Sequence, residues 1–146
     1  TGSSSNKIGL FVNNALTISF ASLKHALDIW DDIDLQELRL RSIELSELFI
    51  SEIEKLSLNF ILACPRNPQL RGSQVSFRVE NGYELMQALI EKKLIGDFRA
   101  PNLIRFGISP LYLDETDIMK AIKIIEEVST QGLWKKFKNS NRKTVT

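Results

Sequence analysis

The chain has 146 residues, 43% of them hydrophobic, a formal net charge of +1, one cysteine and one histidine. That is one domain's worth of chain with enough apolar side chains to bury a core, and its balanced charge points to neither nucleic acid nor membrane as a partner. The apolar runs fall far short of a membrane span, the first residues show no signal-peptide pattern, and the lone Cys64 excludes an intramolecular disulfide and, with the lone His25, an ordinary Cys/His zinc site. The expectation is a globular protein of a reducing, intracellular compartment.

Residues Thr1–Asn14 are rich in Ser, Gly and Asn around a short apolar patch, Ile8–Val12, and read as a flexible lead-in that need not be native. Leu23, Ala26, Leu27 and Trp30 step by three and four, which predicts an amphipathic helix from Ser19 to Asp31. Asp34 with Glu37 forms a capping-box pattern opening a long helix to about Leu56, with Leu35, Leu38, Leu45, Leu48, Phe49, Ile53 and Leu56 as its buried stripe. Phe60–Ala63 is a short apolar run ended by Pro65, and so reads as a strand. Pro65–Gly72 is turn-rich. Val75, Phe77 and Val79 alternate with polar residues in a half-buried strand. Asn81 with Glu84 offers a second capping box, and Leu85, Met86, Leu89 and Ile90 make the apolar face of a short helix to Lys93.

Next comes the stretch Ile95–Leu113, IGDFRAPNLIRFGISPLYL, with two strand-like runs broken at Pro101-Asn102. A period of two over Leu103–Ile108 puts Ile104, Phe106 and Ile108 on one face and Leu103, Arg105 and Gly107 on the other. An arginine inside an apolar strand leaves two readings open: an ion-paired or solvated side chain, or a planar fork for a carboxylate or phosphate. Asp114, with Glu115 and Asp117, starts the last helix, whose stripe is Ile118, Ala121, Ile122, Ile125 and Val128; Gly132 stops it. The order helix, helix, strand, strand, helix, strand, strand, helix predicts an α+β fold, a small antiparallel or mixed sheet with helices on one face.

GDFRAPNLIRFGISPLY, together with RGSQVSFR at Arg71–Arg78, resembles the C-terminal part of kynureninase. The resemblance runs from about Ile18 to Leu133 but spans only the last third or so of a family member. It implies the small domain of a pyridoxal-phosphate-dependent enzyme of the aspartate-aminotransferase fold type. Such an enzyme hydrolyses L-kynurenine or 3-hydroxykynurenine to anthranilate or 3-hydroxyanthranilate and L-alanine, in tryptophan catabolism, as a cytoplasmic homodimer. In the family the arginine of the final RFG-type strand binds the substrate α-carboxylate, and that motif position is Arg105. Arg99, in the adjacent GDFR element, is better read as a structural ion pair.

The family's Schiff-base lysine follows a tyrosine, whereas Tyr83 precedes Glu84 and Tyr112 precedes Leu113, and none of the eleven lysines stands in a matching context. No Gly-rich phosphate loop is visible either. Pyridoxal phosphate is therefore expected to be held by a large domain preceding this segment and not by this chain alone, and the expected partner is that large domain or a second subunit. Where the family carries a Gly-Thr-Pro-Pro type turn, this chain has Asn13, Asn14, Ala15 and Leu16, as a truncated or frame-shifted gene or an excised fragment would. His25 is read as a solvated helix residue, Cys64 as a buried inert thiol and the aspartates of the last helix as helix-start residues.

The expected layout is a lead-in over 1–16, a kynureninase-like domain over 17–133 and a basic, disordered tail over 134–146. Two rivals stand beside it. One is a self-standing α+β module whose tail, with Trp134 and Phe137 between lysines, contacts a polyanion. The other is an inactive remnant.

Overall fold

The computed structural model describes residues 20–24, 27, 28, 30 and 32–138. The chain divides into two compact units, residues 1–35 and 36–146. In the first, residues 20–24 and 27–28 are helical, in keeping with the helix expected there. Trp30, near the expected end, is in a turn, and His25, Ala26, Ile29 and Asp31 lie outside the described residues, as do residues 1–19 and 139–146.

The second unit is built from α1 (Leu35–Lys55), β1 (Ile61–Leu62), β2 (Gln74–Arg78), α2 (Gly82–Glu91), β3 (Asp97–Arg99), β4 (Leu103–Gly107) and α3 (Glu115–Thr130). Two 3-10 turns, Pro68–Leu70 and Leu133–Phe137, complete it. The four strands form one fully antiparallel sheet in the order β1-β2-β4-β3. Each strand has one apolar face because side chains alternate. Val75 and Phe77 of β2, and Ile104 and Phe106 of β4, are buried on the face that the helices cover. Phe49 of α1 packs edge-on against Phe106 and tilted against Phe77, with ring centroids 5.3 and 6.2 Å away, and Tyr83 of α2 meets Phe98 of β3 edge-on. Ile118, Ile122, Ile125 and Val128 of α3 close the core. The expected α+β fold with helices on one face of a small sheet is the observed one.

The helix boundaries follow the chemistry of their ends, with one exception. Asp114 caps α3 through a complete capping box, its side chain accepting from the Asp117 amide at 3.0 Å. Asn81 makes no side-chain cap bond at α2, and Glu84, its expected partner, is buried; the second capping box is not formed. The apolar stripes also shift slightly. Leu35 and Ile90 are exposed, while Ile50 takes a core position with Ser42 and Ser46 buried beside it.

Those two serines are explained by what they face. Ser42 Oγ lies 2.7 Å from Ser73 Oγ, and Ser46 Oγ accepts from Arg71 at 3.2 Å. Arg71, the first residue of RGSQVSFR, is only 7% exposed and acts as a peg for the connection between β1 and β2. It donates to the Pro65 and Arg66 carbonyls at 3.1 and 2.9 Å and pairs with Glu47 of α1. Arg39 of α1 adds bonds to the Pro68 and Arg71 carbonyls at 2.5 and 2.8 Å. A loop lying against a helix needs its carbonyls satisfied, and these two guanidinium groups do it.

Two expectations are corrected. Cys64 is half-buried at the edge of the core, not fully buried. Order also continues past residue 133: Leu133–Phe137 folds as a 3-10 turn, and Leu133, Trp134 and Phe137 pack on the core. The three-residue period of such a turn puts Trp134 and Phe137 on the same side, so the aromatic residues read as tail contacts serve packing.

Removing Arg71 takes the side-chain donor from the Pro65 and Arg66 carbonyls and leaves Glu47 with Arg66 as its remaining arginine. Arg71→Ala should destabilise the fold by about 1–3 kcal/mol through the lost hydrogen bonds, and Arg71→Lys should recover only part of this because it lacks the fork. Urea unfolding midpoints measure both.

Candidate functional site

The face of the sheet away from the helices is polar. Gln74, Ser76 and Arg78 of β2, Asp97 and Arg99 of β3, and Leu103, Arg105 and Gly107 of β4 share it by alternation. The register sets Ser76, Arg105 and Asp97 in one row across three strands, and Arg78, Leu103 and Arg99 in the next. Arg105 is therefore on β4, between β2 and β3, at the middle of the row, and it lies on the face that its alternation with Ile104 and Phe106 predicts.

The Arg105 guanidinium reaches across to Asp97. Nε donates to Asp97 Oδ2 at 2.8 Å, and Nη2 donates to the same oxygen. Arg99 Nε donates to that oxygen as well, at 3.0 Å, so the ion-pair reading of Arg99 matches its geometry. Burial pushes the Asp97 carboxyl up. The bonds and charges of Arg105 and Arg99 outweigh it and hold the carboxyl below the ordinary aspartate value. The Arg105 side chain keeps 28% of its surface exposed, and Nη1 makes no hydrogen bond among the described residues. The ion-pair reading of Arg105 is thus the observed geometry, with part of the side chain still exposed.

Two glycines shape the surroundings for different reasons. A Cβ on Gly96 would lie 2.9 Å from the Arg105 carbonyl oxygen and 2.7 Å from Met86 Cε, so only glycine lets β3 approach β4 here. A Cβ on Gly107 would meet nothing within 4 Å, which leaves the face beside Arg105 bare. From Gly107 a groove of about 450 Å³ runs between the end of α2 and α3, floored by Phe49, Phe106 and Ile108. Its lysines, Lys92, Lys93 and Lys120, are exposed.

Asp97 was not among the residues singled out by sequence. The signal was present: a hairpin centred on Pro101 pairs residues equally distant from it, which sets Asp97 opposite Arg105. Ser76, 5% exposed and bonded by Gln74 Nε2 at 3.3 Å, completes the row, and an alternating strand alone does not mark it. Among the described residues no three His, Cys, Asp or Glu side chains gather to hold a metal ion. Also among the described residues, no helix is long and apolar enough to cross a membrane.

A family model described as the kynureninase C-terminal domain matches residues 38–125. The kynureninase of Pseudomonas fluorescens is 36% identical over 130 residues, covering 88% of this chain and 31% of that protein. That of Burkholderia mallei strain SAVP1 is 33% identical over 131 residues, covering 88% of this chain and 32% of that protein. The chain thus spans about a third of the length of the relatives it matches. Among solved structures, an acetylornithine aminotransferase from Elizabethkingia anophelis aligns with a TM-score of 0.55 at 28% identity, over 73% of this chain and 28% of that one. A NifS-like protein aligns with a TM-score of 0.58 at 19% identity, over 66% of this chain and 29% of that one, a likeness of fold alone.

The Asp97 ion pair has a pH signature. A carboxyl held low in the folded state stabilises the fold fully above its unfolded value, about 3.9, and loses that contribution as pH falls through the folded value. The stability gap between the wild type and Asp97→Asn should therefore be constant near neutrality and close below about pH 4, by urea unfolding at stepped pH.

Proposed function

The chain belongs to the kynureninase C-terminal domain family, and from that membership we propose that it is the small-domain portion of a kynureninase. The reaction is hydrolysis of L-kynurenine or 3-hydroxykynurenine to the corresponding anthranilate and L-alanine. Arg105 receives the α-carboxylate of the substrate. The observation that carries this assignment is the position of Arg105 on the central strand, its fork partly open, beside the bare surface at Gly107. A guanidinium there offers an amino-acid carboxylate charge-assisted bonds and fixes its orientation. The family also implies a cytoplasmic homodimer, a proposal of the same standing.

Pyridoxal phosphate, when bound, supplies the electron sink for such a reaction. The residues present here do not fit it. Every described lysine is exposed, none follows a tyrosine, and the groove between α2 and α3 is mainly apolar with its lysines at the rim. In this reading the cofactor is held by the large domain or a second subunit, and this chain contributes to the substrate side. The polyanion-binding rival is weakened by the packing of Trp134 and Phe137.

Two experiments test the reading. Titrated alone with pyridoxal phosphate, the chain should give no saturable visible band that survives dialysis; a one-to-one band lost on replacing a single lysine would contradict the assignment of the cofactor elsewhere. A chimera of the Pseudomonas fluorescens enzyme, with residues 36–138 of this chain in place of its own segment, tests Arg105. Arg105→Ala should lower kcat/KM by roughly one to two orders of magnitude or more, with Arg105→Lys intermediate. Turnover equal to that of the parent chimera would remove Arg105 from the site.

A further inference from the structure

We propose that Asp97 is the positioning residue of this site: it holds Arg105 by the Nε–Nη2 edge and leaves the Nη1 end of the fork for the carboxylate of an amino-acid ligand. The proposal rests on the carboxylate-binding reading of Arg105 and adds a second residue to it. A guanidinium is a rigid plane with five donors, and it can grip a carboxylate by more than one edge. Asp97 occupies one edge, with both bonds converging on Oδ2. Nη1 makes no hydrogen bond among the described residues, and the side chain is still 28% exposed.

The backbone makes this arrangement reproducible. Asp97 is the direct cross-strand partner of Arg105, and cross-strand neighbours have their Cβ atoms about 4.5–5.5 Å apart. The close approach of Gly96 to the Arg105 carbonyl oxygen ties the two strands together just before Asp97. A lone carboxylate on Arg105 would cancel the charge a ligand must meet. Arg99, bonded to the same oxygen, changes that balance: two guanidinium groups against one carboxylate leave a single net positive charge on the cluster. An incoming carboxylate then finds an oriented donor pair in a field that still attracts it. Rotamer freedom, which an unpaired arginine would lose on binding, is already restricted by the Asp97 bonds.

The test has two arms. In the chain itself, the Arg105 Nε–H resonance is identified by its loss in Arg105→Lys. Its exchange with water should be at least about tenfold slower than that of exposed Arg78, should rise to the Arg78 rate in Asp97→Asn with the backbone amide spectrum unchanged, and should stay slow in Asp97→Glu. Exchange that Asp97→Asn leaves unaltered overturns the proposal. In the chimera, Asp97→Asn should raise KM for L-kynurenine about tenfold with little change in kcat, and Asp97→Glu should recover part of it. If KM is unmoved in Asp97→Asn but raised in Arg105→Ala, Asp97 has no positioning role and the Arg105 reading stands. If neither substitution moves KM, the carboxylate reading fails and the Asp97 proposal falls with it.

Discussion

The structure depends on the alternation of β4 between two antiparallel neighbours. Ile104 and Phe106 are drawn to the helix-covered face, where they are 0% and 5% exposed, and the pleat then turns Arg105 to the opposite face. Shifting the register by one residue would exchange these faces, turning Ile104 and Phe106 outward and burying the guanidinium against Phe49 and Phe77. The apolar core and the polar row are therefore two consequences of one pairing. Because β2 and β3 flank β4, the same pairing brings Ser76 and Asp97 to either side of Arg105.

Four of the arginines divide between two tasks. Arg39 and Arg71 satisfy carbonyls of the turn between β1 and β2 and tie it to α1. Arg71 spends both terminal nitrogens on bonds within the chain and has almost no exposed surface. Arg99 and Arg105 share one carboxylate on an open face and keep donors in reserve. The two motifs that carry the family resemblance are thus different in kind. RGSQVSFR opens with a packing residue, while GDFRAPNLIRFG builds the polar row.

Much of this was legible in the sequence where a strong period or a paired cap was involved. The alternation of Val75 and Phe77 and of Ile104 and Phe106 marked β2, β4 and the side of Arg105. Asp114 with Asp117 marked the start of α3. What escaped depended on tertiary partners. Ser42 and Ser46 interrupt the apolar stripe of α1 because they face Ser73 and Arg71 across the fold, which helical periodicity does not encode. Asn81 and Glu84 have the spacing of a cap, yet Glu84 is buried in the packed unit and the cap is not made. Trp134 and Phe137 were masked by the lysines around them, and a three-residue turn brought them onto the core. Asp97 lay in the first strand-like run with nothing to single it out until the hairpin register paired it with Arg105.

The central claim is that the open part of the Arg105 fork receives the carboxylate of an amino acid. A crystal structure of the chimera with L-alanine, a product of the proposed reaction, tests it most directly. The account predicts an alanine carboxylate oxygen within about 2.7–3.1 Å of Arg105 Nη1 or Nη2, with the Asp97 bond to Nε retained. Alanine bound with its carboxylate on another group, and Arg105 still closed on Asp97 alone, would contradict it.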